Sequence, residues 1–224
     1  MKIRSKEEFF DFIQAERAWR RKELTNCKAL VHKARESYNQ TVVRAGILLL
    51  YAHWEGYIKK VCEAFFMYLN FRGLKYSELN TNFLVVGFSE KLGGSSSYSR
   101  HSSSKEFVSF ILNECKSKKF KIDIATRIDT RSNLNSEVLL ELIEMLGINP
   151  NHFISNKHHI DNRLLKLRNA IAHGERTEFN PDFSINADDF NDLYERINGL
   201  VDSFESEICN HIELEKYRLF GIGR

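Results

Sequence analysis

Several residue types are scarce in this chain of 224 residues, and each scarcity narrows the class of protein. Only two prolines occur, Pro150 and Pro181, and both lie between strongly periodic segments. Because proline interrupts helices, its placement here favours long helices. The four cysteines are widely spaced and form no CxxC pair, so we expect reduced thiols in a cytosolic protein.

Long apolar runs and a strong net charge are also missing. The most apolar stretch, GILLLYAHW, is too short to span a bilayer, and the first residues, MKIRSKEEFF, contain no apolar signal segment. The formal charge of +3 neither requires nor excludes nucleic acid as a partner. We therefore expect a cytoplasmic protein that has no membrane as a partner.

Several motifs of common enzyme classes do not occur in the sequence. There is no glycine-rich phosphate loop, no nucleophile elbow, no HExxH and no protein-kinase signature. Hydrophobic residues make up 42% of the chain and charged residues 28%, which is ordinary for a globular protein. The length suits one core, so we expect a single domain over residues 1–224.

Hydrophobic periodicity predicts an all-α fold dominated by three long helices. A capping-box spacing at Ser5 and Glu8 begins a helix that we extend to about Tyr38. A second helix is predicted from Gln40 to Phe71 and a last one from Ala187 to Tyr217. Since such long apolar stripes must be buried side by side, an antiparallel bundle is expected.

Shorter helices are predicted between the long ones, at Lys105 to Cys115, Ser136 to Leu146 and Asn156 to His173. We interpret residues 74–135 as an inserted region of loops and small helices. Its stretch from residue 89 to 104 is rich in serine and glycine, so a mobile loop is expected there. Residues 116–133 are basic and irregular, and the alternation at residues 120–124 fits either a short strand or an extended segment.

The segment LLKLRNAIAHGERTEF, which starts at Leu164, places polar residues at the end of an apolar helix. Arg168 lies at the edge of the buried stripe, and His173 follows five residues later, about 140° away on a continuous helix. The two side chains would not share a face. They can converge only if the helix ends near His173, which Gly174 permits, or if a second copy supplies the partner group.

The run Arg168-Asn169-Ala170-Ile171-Ala172-His173 resembles the R-x4-H signature of the HEPN superfamily, the higher eukaryotes and prokaryotes nucleotide-binding domains. The stretch YAHWEGYIKK also resembles the helix that carries an acidic residue in prokaryotic members, including those similar to the RiboL-PSP group. The resemblance implies a helical bundle that dimerises and, in many members, acts as a metal-independent endoribonuclease.

If the resemblance holds, Arg168 and His173 from two copies line one cleft in a homodimer. RNA carries its own nucleophile, the 2′-hydroxyl, so cleavage needs proton transfer and charge stabilisation but no metal or other cofactor. His173 would transfer protons, Arg168 would hold the scissile phosphate, and Asn169 would orient one of these groups. A prokaryotic defence, toxin-antitoxin or stress system is expected, with RNA as substrate and an antitoxin or regulatory protein as a further partner.

Other residues allow two interpretations each. Glu55 either points into the cleft and positions Arg168 or forms a solvated pair with Lys59. His158 and His159 favour a structural or solvent role over metal binding, because adjacent histidines point to different sides of a helix. Basic residues of the inserted region either bind RNA or belong to a solvated loop; they are Lys116, Lys118, Lys119, Lys121, Arg127 and Arg131.

We interpret four basic residues of the first helix as a solvated face; they are Arg17, Arg20, Arg21 and Lys22. Tyr98 and Arg100 in the serine-rich stretch have the chemistry to stack on and hold a base. The alternative to an endoribonuclease is a HEPN-like scaffold that binds a nucleotide or a protein without cutting. An unrelated bundle with a fortuitous motif is the third interpretation.

Overall fold

A computed structural model of the chain describes residues 2–91, 101–131, 133–176 and 183–219. These residues form α-helices, one 3₁₀ turn and one π-helical segment, and no strand occurs among them. The all-α prediction is confirmed. The four cysteine thiols are free, as expected, and three of them are buried.

Three long helices form the centre of the fold: α1 (Lys6–Lys33), α2 (Glu36–Arg72) and α9 (Ala187–Glu213). Their apolar stripes are buried against one another, and α2 carries the largest buried side chains, including Trp54, which is 1% exposed. Burial of this kind supplies most of the stability of helices that would be marginal alone.

The directions of the three helices follow from their side-chain contacts. α1 runs antiparallel to α9, because Lys6 contacts Glu213 while Lys28 contacts Glu195. α2 and α9 run in the same direction instead, since Gly46 lies against Phe190 and the Tyr57 hydroxyl donates to Glu205. The expected antiparallel packing therefore holds for α1 and not for the pair α2 and α9.

Gly46 sets the close approach at one end of this bundle. A β-carbon built on Gly46 would lie 2.9 Å from the Phe190 ring and 3.3 Å from the Cys27 sulfur. The absence of a side chain therefore lets α2 pack closely between α1 and α9, which is a recurrent use of glycine in helix contacts.

The N-terminus of α1 is capped as its sequence predicts, with one difference. The Ser5 hydroxyl accepts the Glu8 amide at 3.1 Å, while the Glu8 carboxylate accepts the amide of Arg4 at 2.7 Å rather than that of Ser5. The C-terminus was predicted near Tyr38, but α1 ends at Lys33 because Ala34 and Arg35 are extended.

Shorter helices cover one end of the long bundle. The bounds are α3 (Thr81–Lys91), α4 (His101–Asn113), α5 (Ile124–Arg127), α6 (Ser136–Leu146) and α7 (Asn151–Ile154). α6 matches its predicted bounds, whereas α4 begins before Lys105, and both α3 and α4 extend into the serine-rich stretch. Residues 92–100, with Tyr98 and Arg100, lie outside the described residues.

The alternating piece at residues 120–124 is an extended segment and not a strand. Lys119 forms an isolated bridge with Lys75, and the Phe120 amide donates to the Leu74 carbonyl at 2.7 Å. The alternation reflects burial, since Phe120 and Ile122 point into the core. Two backbone contacts therefore hold this segment against the residues that follow α2.

The helix that carries the motif is irregular. Residues His159–Leu165 form a π-helical segment, and α8 (Lys166–Ala172) follows without a break. The sequence predicted one continuous α-helix from Asn156 to His173, and the π-helical segment corrects that prediction. Such widened turns are rare and often mark functional sites.

The interpretation of the α1 charges as a solvated face is wrong for two of them. Arg17 is 9% exposed and Arg20 is 7% exposed. The Arg17 guanidinium forms an ion pair with Asp202 at 2.5 Å, and that of Arg20 pairs with Glu16 and lies over the Trp19 ring. These arginines pack between the helices because carboxylates neutralise their charge there.

Candidate functional site

The end of α8 explains the glycine that follows the histidine. The His173 amide still donates to the Asn169 carbonyl, and Gly174 then adopts the left-handed region with φ 76°. The Gly174 amide donates to Ile171 at 3.0 Å and the Glu175 amide donates to Ala170 at 2.9 Å. This pair of bonds is the Schellman motif, which closes a helix where a residue without a β-carbon is favoured.

Arg168 is half-buried and held by neutral groups. Its Nη1 donates to the Asn133 Oδ1 and to the Asn169 Oδ1, both at 2.8 Å. The guanidinium carbon lies 4.8 Å from the centre of the Tyr51 ring, in cation-π geometry. Within the described residues no carboxylate pairs with Arg168, and its Nε and Nη2 have no hydrogen-bond partner.

This arrangement leaves one edge of the guanidinium available. A guanidinium has five N–H donors in a fixed fork, and the Nε and Nη2 edge presents two of them in parallel. Two parallel donors match two oxygens of a phosphate or a carboxylate. The fixed Nη1 therefore orients a free bidentate edge for an anion.

Tyr51 connects α2 with the loop in front of α6. Its hydroxyl accepts the amide of Leu134 at 2.7 Å and is also hydrogen-bonded to the Glu55 carboxylate. Burial, followed by the negative charge of Glu55, raises the pKa of Tyr51 well above its usual value. The phenol therefore stays protonated and keeps its ring under the Arg168 guanidinium.

Glu55 is engaged by the same loop. Its Oε1 accepts the Thr130 hydroxyl at 2.5 Å, and Thr130 is itself buried. Within the described part of the chain Glu55 forms no ion pair with Lys59 or with Arg168. Glu55 thus lies beside the candidate site and reaches Arg168 only through Tyr51.

The loop that carries Asn133 is fixed at both ends. Arg131 adopts a positive φ of 51°, and its amide donates to the Asp129 carboxylate at 2.9 Å. At the other end the Ser136 amide and hydroxyl donate to Asp161 at 2.7 and 2.6 Å. Because Asp161 belongs to the π-helical segment, the loop and the motif helix are joined directly.

His173 has a different environment from Arg168. Its side chain is exposed, and within the described residues the imidazole has no hydrogen bond or ion pair. Two residues after His173, the Glu175 carbonyl accepts a hydrogen bond from the Arg44 guanidinium at 2.7 Å. In the described part of one copy no hydrogen bond joins His173 to Arg168.

The structure distributes the basic residues of the inserted region among several environments. Lys118 pairs with Glu114 at 3.5 Å, and Arg131 pairs with Glu141 at 2.5 Å. Arg127 is partly buried, and its Nη2 donates to the backbone carbonyl of Val86. The exposed residues include Lys116, Lys119 and Lys121.

Sequence reasoning missed three residues around Arg168. Tyr51 was detectable, because it precedes Glu55 by four residues and so shares its helix face. Asn133 and Thr130 carried no such signal. Asn133 is 35 residues from Arg168 in the chain, in a segment without periodicity.

The comparisons with known proteins agree with this architecture. A family model described as RiboL-PSP-HEPN matches residues 15–210, which is most of the chain. The chain therefore belongs to the RiboL-PSP-HEPN family. Searches of curated proteins and of solved structures returned no match.

None of the helices that the structure describes has both the length and the apolar composition of a membrane span.

Proposed function

We propose that this protein is a metal-independent endoribonuclease whose cleavage site combines Arg168 and His173 across a homodimer. The observation that carries the proposal is the free edge of Arg168. Its guanidinium is positioned by two asparagines and a tyrosine, but no carboxylate in the described residues neutralises it. A phosphodiester supplies the missing charge and geometry.

The chemistry requires only groups that the chain and RNA possess. One imidazole accepts the proton of the 2′-hydroxyl as its oxygen bonds to phosphorus. The bond between phosphorus and the 5′-oxygen breaks as that oxygen takes a proton from a water molecule, and the protonated imidazole then returns its proton to the hydroxide that remains. Arg168 binds the phosphate oxygens and stabilises their increased charge in the transition state. The products are a 2′,3′-cyclic phosphate, which water can open to a 3′-phosphate, and a 5′-hydroxyl.

The second copy enters because His173 is exposed at the helix end and forms no hydrogen bond or ion pair within the described residues. If two motif helices face each other, each His173 reaches the Arg168 of the other copy. A two-fold symmetric interface produces that exchange without further design.

Asn169 and Glu55 have positioning roles in this proposal. Asn169 accepts from the Arg168 Nη1, which turns the free edge outward. Glu55 acts through Tyr51 and Thr130, which dock the loop bearing Asn133. Of the basic residues proposed to guide RNA, Lys119 and Lys121 are exposed, whereas Lys118, Arg127 and Arg131 already contact protein groups.

The biological setting is proposed from the family resemblance alone. A prokaryotic toxin, antiviral defence or stress ribonuclease would need a partner that restrains it, such as an antitoxin or regulatory protein. The alternative is a scaffold that binds nucleotide or protein without cutting. The ion pairs of Lys118 and Arg131 favour that alternative, because they reduce the positive charge available to RNA.

The proposal is tested by incubating a mixed RNA pool with the purified protein in EDTA. Wild type is compared with His173→Ala and Arg168→Ala, and every protein is checked for helicity and for oligomeric state. His32→Ala and Arg21→Ala are matched controls, since both remove exposed side chains of α1.

We expect wild type and both controls to cut the RNA and to leave cyclic phosphate ends. The two site variants should cut no RNA. Equal cleavage by all five proteins would reject Arg168 and His173 as the site. Absence of cleavage by folded wild type would favour the scaffold.

A further inference from the structure

A small polar cavity, which Arg168 does not line, lies between the π-helical segment and the first part of α9. Its volume is about 240 Å³. The side chains that line it are almost all titratable; they are His158, His159, Arg163, Asp189, Asp192 and Arg196. Three of the lining residues belong to the motif helix and four to α9, and only Leu193 is apolar. The cavity is therefore more polar than most ligand pockets, which are lined predominantly by apolar side chains.

The two arginines of this cavity are not held in ion pairs by the carboxylates beside them. Arg163 and Arg196 form no ion pair within the described residues, although Asp192 also lines the cavity. Asp189 is engaged in capping α9, since its carboxylate accepts the Asn186 amide at 3.1 Å. Two guanidinium groups therefore face one cavity with their donors available.

The histidines add donors and one unsatisfied atom. The Asn162 amide nitrogen lies 3.1 Å from the His158 Nδ1, so that nitrogen accepts and the proton of His158 lies on Nε2. The His159 Nδ1 is buried and has no hydrogen-bond partner. A buried polar atom without a partner is costly and commonly indicates a missing ligand or water.

Positively charged groups lie near the imidazole of His159. Burial lowers the pKa of His159 most, and the neighbouring charges of Arg196, His158 and Arg163 lower it further. Within the described residues no group of three or more His, Cys, Asp or Glu is arranged to hold a metal ion. An anion is thus the ligand class that these groups favour.

We propose that this cavity binds the phosphate group of a ribonucleotide, carried either by RNA or by a free nucleotide. Arg163 and Arg196 hold the phosphate oxygens, and Asp192 accepts a ribose hydroxyl. The RNA source rests on the proposed ribonuclease function, whereas the phosphate chemistry does not. In the RNA case the cavity fixes the strand at a phosphate other than the one that is cut.

The test uses the full-length protein with Arg163→Gln and Arg196→Gln combined. Anisotropy of a 3′-labelled single-stranded RNA is measured in EDTA with His173→Ala present in every protein, so that the RNA stays intact. Calorimetric titration with 5′-AMP forms the second arm. The matched control is Arg4→Gln, an exposed arginine two residues before Lys6. Lys6 donates to the Glu213 carbonyl, and Glu213 lies about 25 Å from Arg196 at 1.5 Å per residue of α9.

We expect the double variant to lose about tenfold or more in affinity for one of the two probes, because charge-assisted bonds to phosphate are removed. Loss for RNA identifies an RNA phosphate, and loss for 5′-AMP alone identifies a free nucleotide. A combined Arg163→Lys and Arg196→Lys variant should retain part of the affinity, which separates charge from misfolding.

Unchanged binding of both probes in the folded double variant would overturn the proposal, and so would absence of binding to the His173→Ala parent. Failure of the ribonuclease proposal is read separately. If the protein with its native His173 cuts no RNA, the function fails while the 5′-AMP arm still decides whether the cavity is a site.

Discussion

Two arginines in this molecule carry the same charge but have opposite kinds of partner. Arg17, between α1 and α9, is paired with Asp202 and lies 3.7 Å from Glu205. Arg168, at the end of the motif helix, is held by two asparagine oxygens and an aromatic ring. One arginine is neutralised inside the protein, and the other is oriented but left with its charge.

The difference separates an arginine that stabilises the fold from one that we propose binds an anion. Removing a charge from water is unfavourable unless a countercharge accompanies it, so a buried arginine that serves the fold acquires carboxylates. An arginine fixed by neutral groups instead keeps its attraction for an external anion. The comparison supports a role for Arg168 in binding phosphate and a role for Arg17 in holding the bundle together.

The largest effect is expected from Arg168→Ala. Loss of the guanidinium should lower the cleavage rate by about 10²- to 10³-fold, the range for removing one group that stabilises transition-state charge. The free energy of unfolding should fall by about 1.5 kcal/mol, the lower end of the range for hydrogen bonds to a charged group, because Arg168 is only half-buried. Initial rates on RNA and urea denaturation measure the two quantities. A large loss of stability with normal cleavage would reverse the assignment.

Arg17→Ala should show the opposite pattern. Its removal leaves Glu205 and the Tyr57 hydroxyl without their positive neighbour between the helices, although Asp202 is 61% exposed and can be solvated. We expect a loss of about 2 to 3 kcal/mol in unfolding free energy. Below the unfolding transition the cleavage rate should match wild type. A variant as stable as wild type would show that this ion-pair network does not support the fold.

The buried histidine His211 extends the comparison to another residue type, since His173 is exposed. Burial, with a smaller effect of Lys216, lowers the pKa of His211 from 6.5 to about 4. As pH falls from 6.5 towards 4 the unfolded chain gains a proton that the folded chain resists, so stability declines in this window.

Between pH 8 and pH 5 this group should account for about 2 kcal/mol of lost stability. His211→Leu should reduce the decline by that amount, as measured by urea denaturation at both pH values. Leu214→Ala removes an exposed side chain that does not titrate, so this control should leave the slope unchanged. An unaltered slope in the His211 variant would show that its proton is not responsible.

The smallest effect is expected from Tyr51→Phe. The ring under Arg168 is retained, but the buried amide of Leu134 loses its acceptor, at a cost of about 1 kcal/mol. Loosening of the loop that carries Asn133 should slow cleavage by about tenfold. Stability and rate are measured together, with Tyr38→Phe as an exposed control. Normal rates in Tyr51→Phe would mean that Arg168 is positioned without this loop.

Much of the fold was predictable because it depends on local patterns. The stripes of α2 and α9, the cap at Ser5 and the bounds of α6 follow from periodicity and end signals. The π-helical segment was not predictable, because apolar steps of three and four suit both helix types. That residues 74–135 form an inserted region stays a prediction.

The candidate site was predictable only in part. Arg168, Asn169 and His173 belong to one short run, so the motif resemblance indicated them together, and their roles stay a prediction. The partner that fixes Arg168 comes from a distant loop, and the carboxylates that bury Arg17 come from the last helix. Such contacts depend on tertiary packing and leave no local trace in the sequence.

The most direct test of the central claim combines two inactive proteins. Arg168→Ala and His173→Ala carry different affinity tags, and the heterodimer is purified through both. If Arg168 and His173 meet across two copies, one site of the heterodimer keeps both residues, and about half of the wild-type cleavage rate should return. A purified heterodimer that cuts no RNA, while wild type is active, would contradict a shared site.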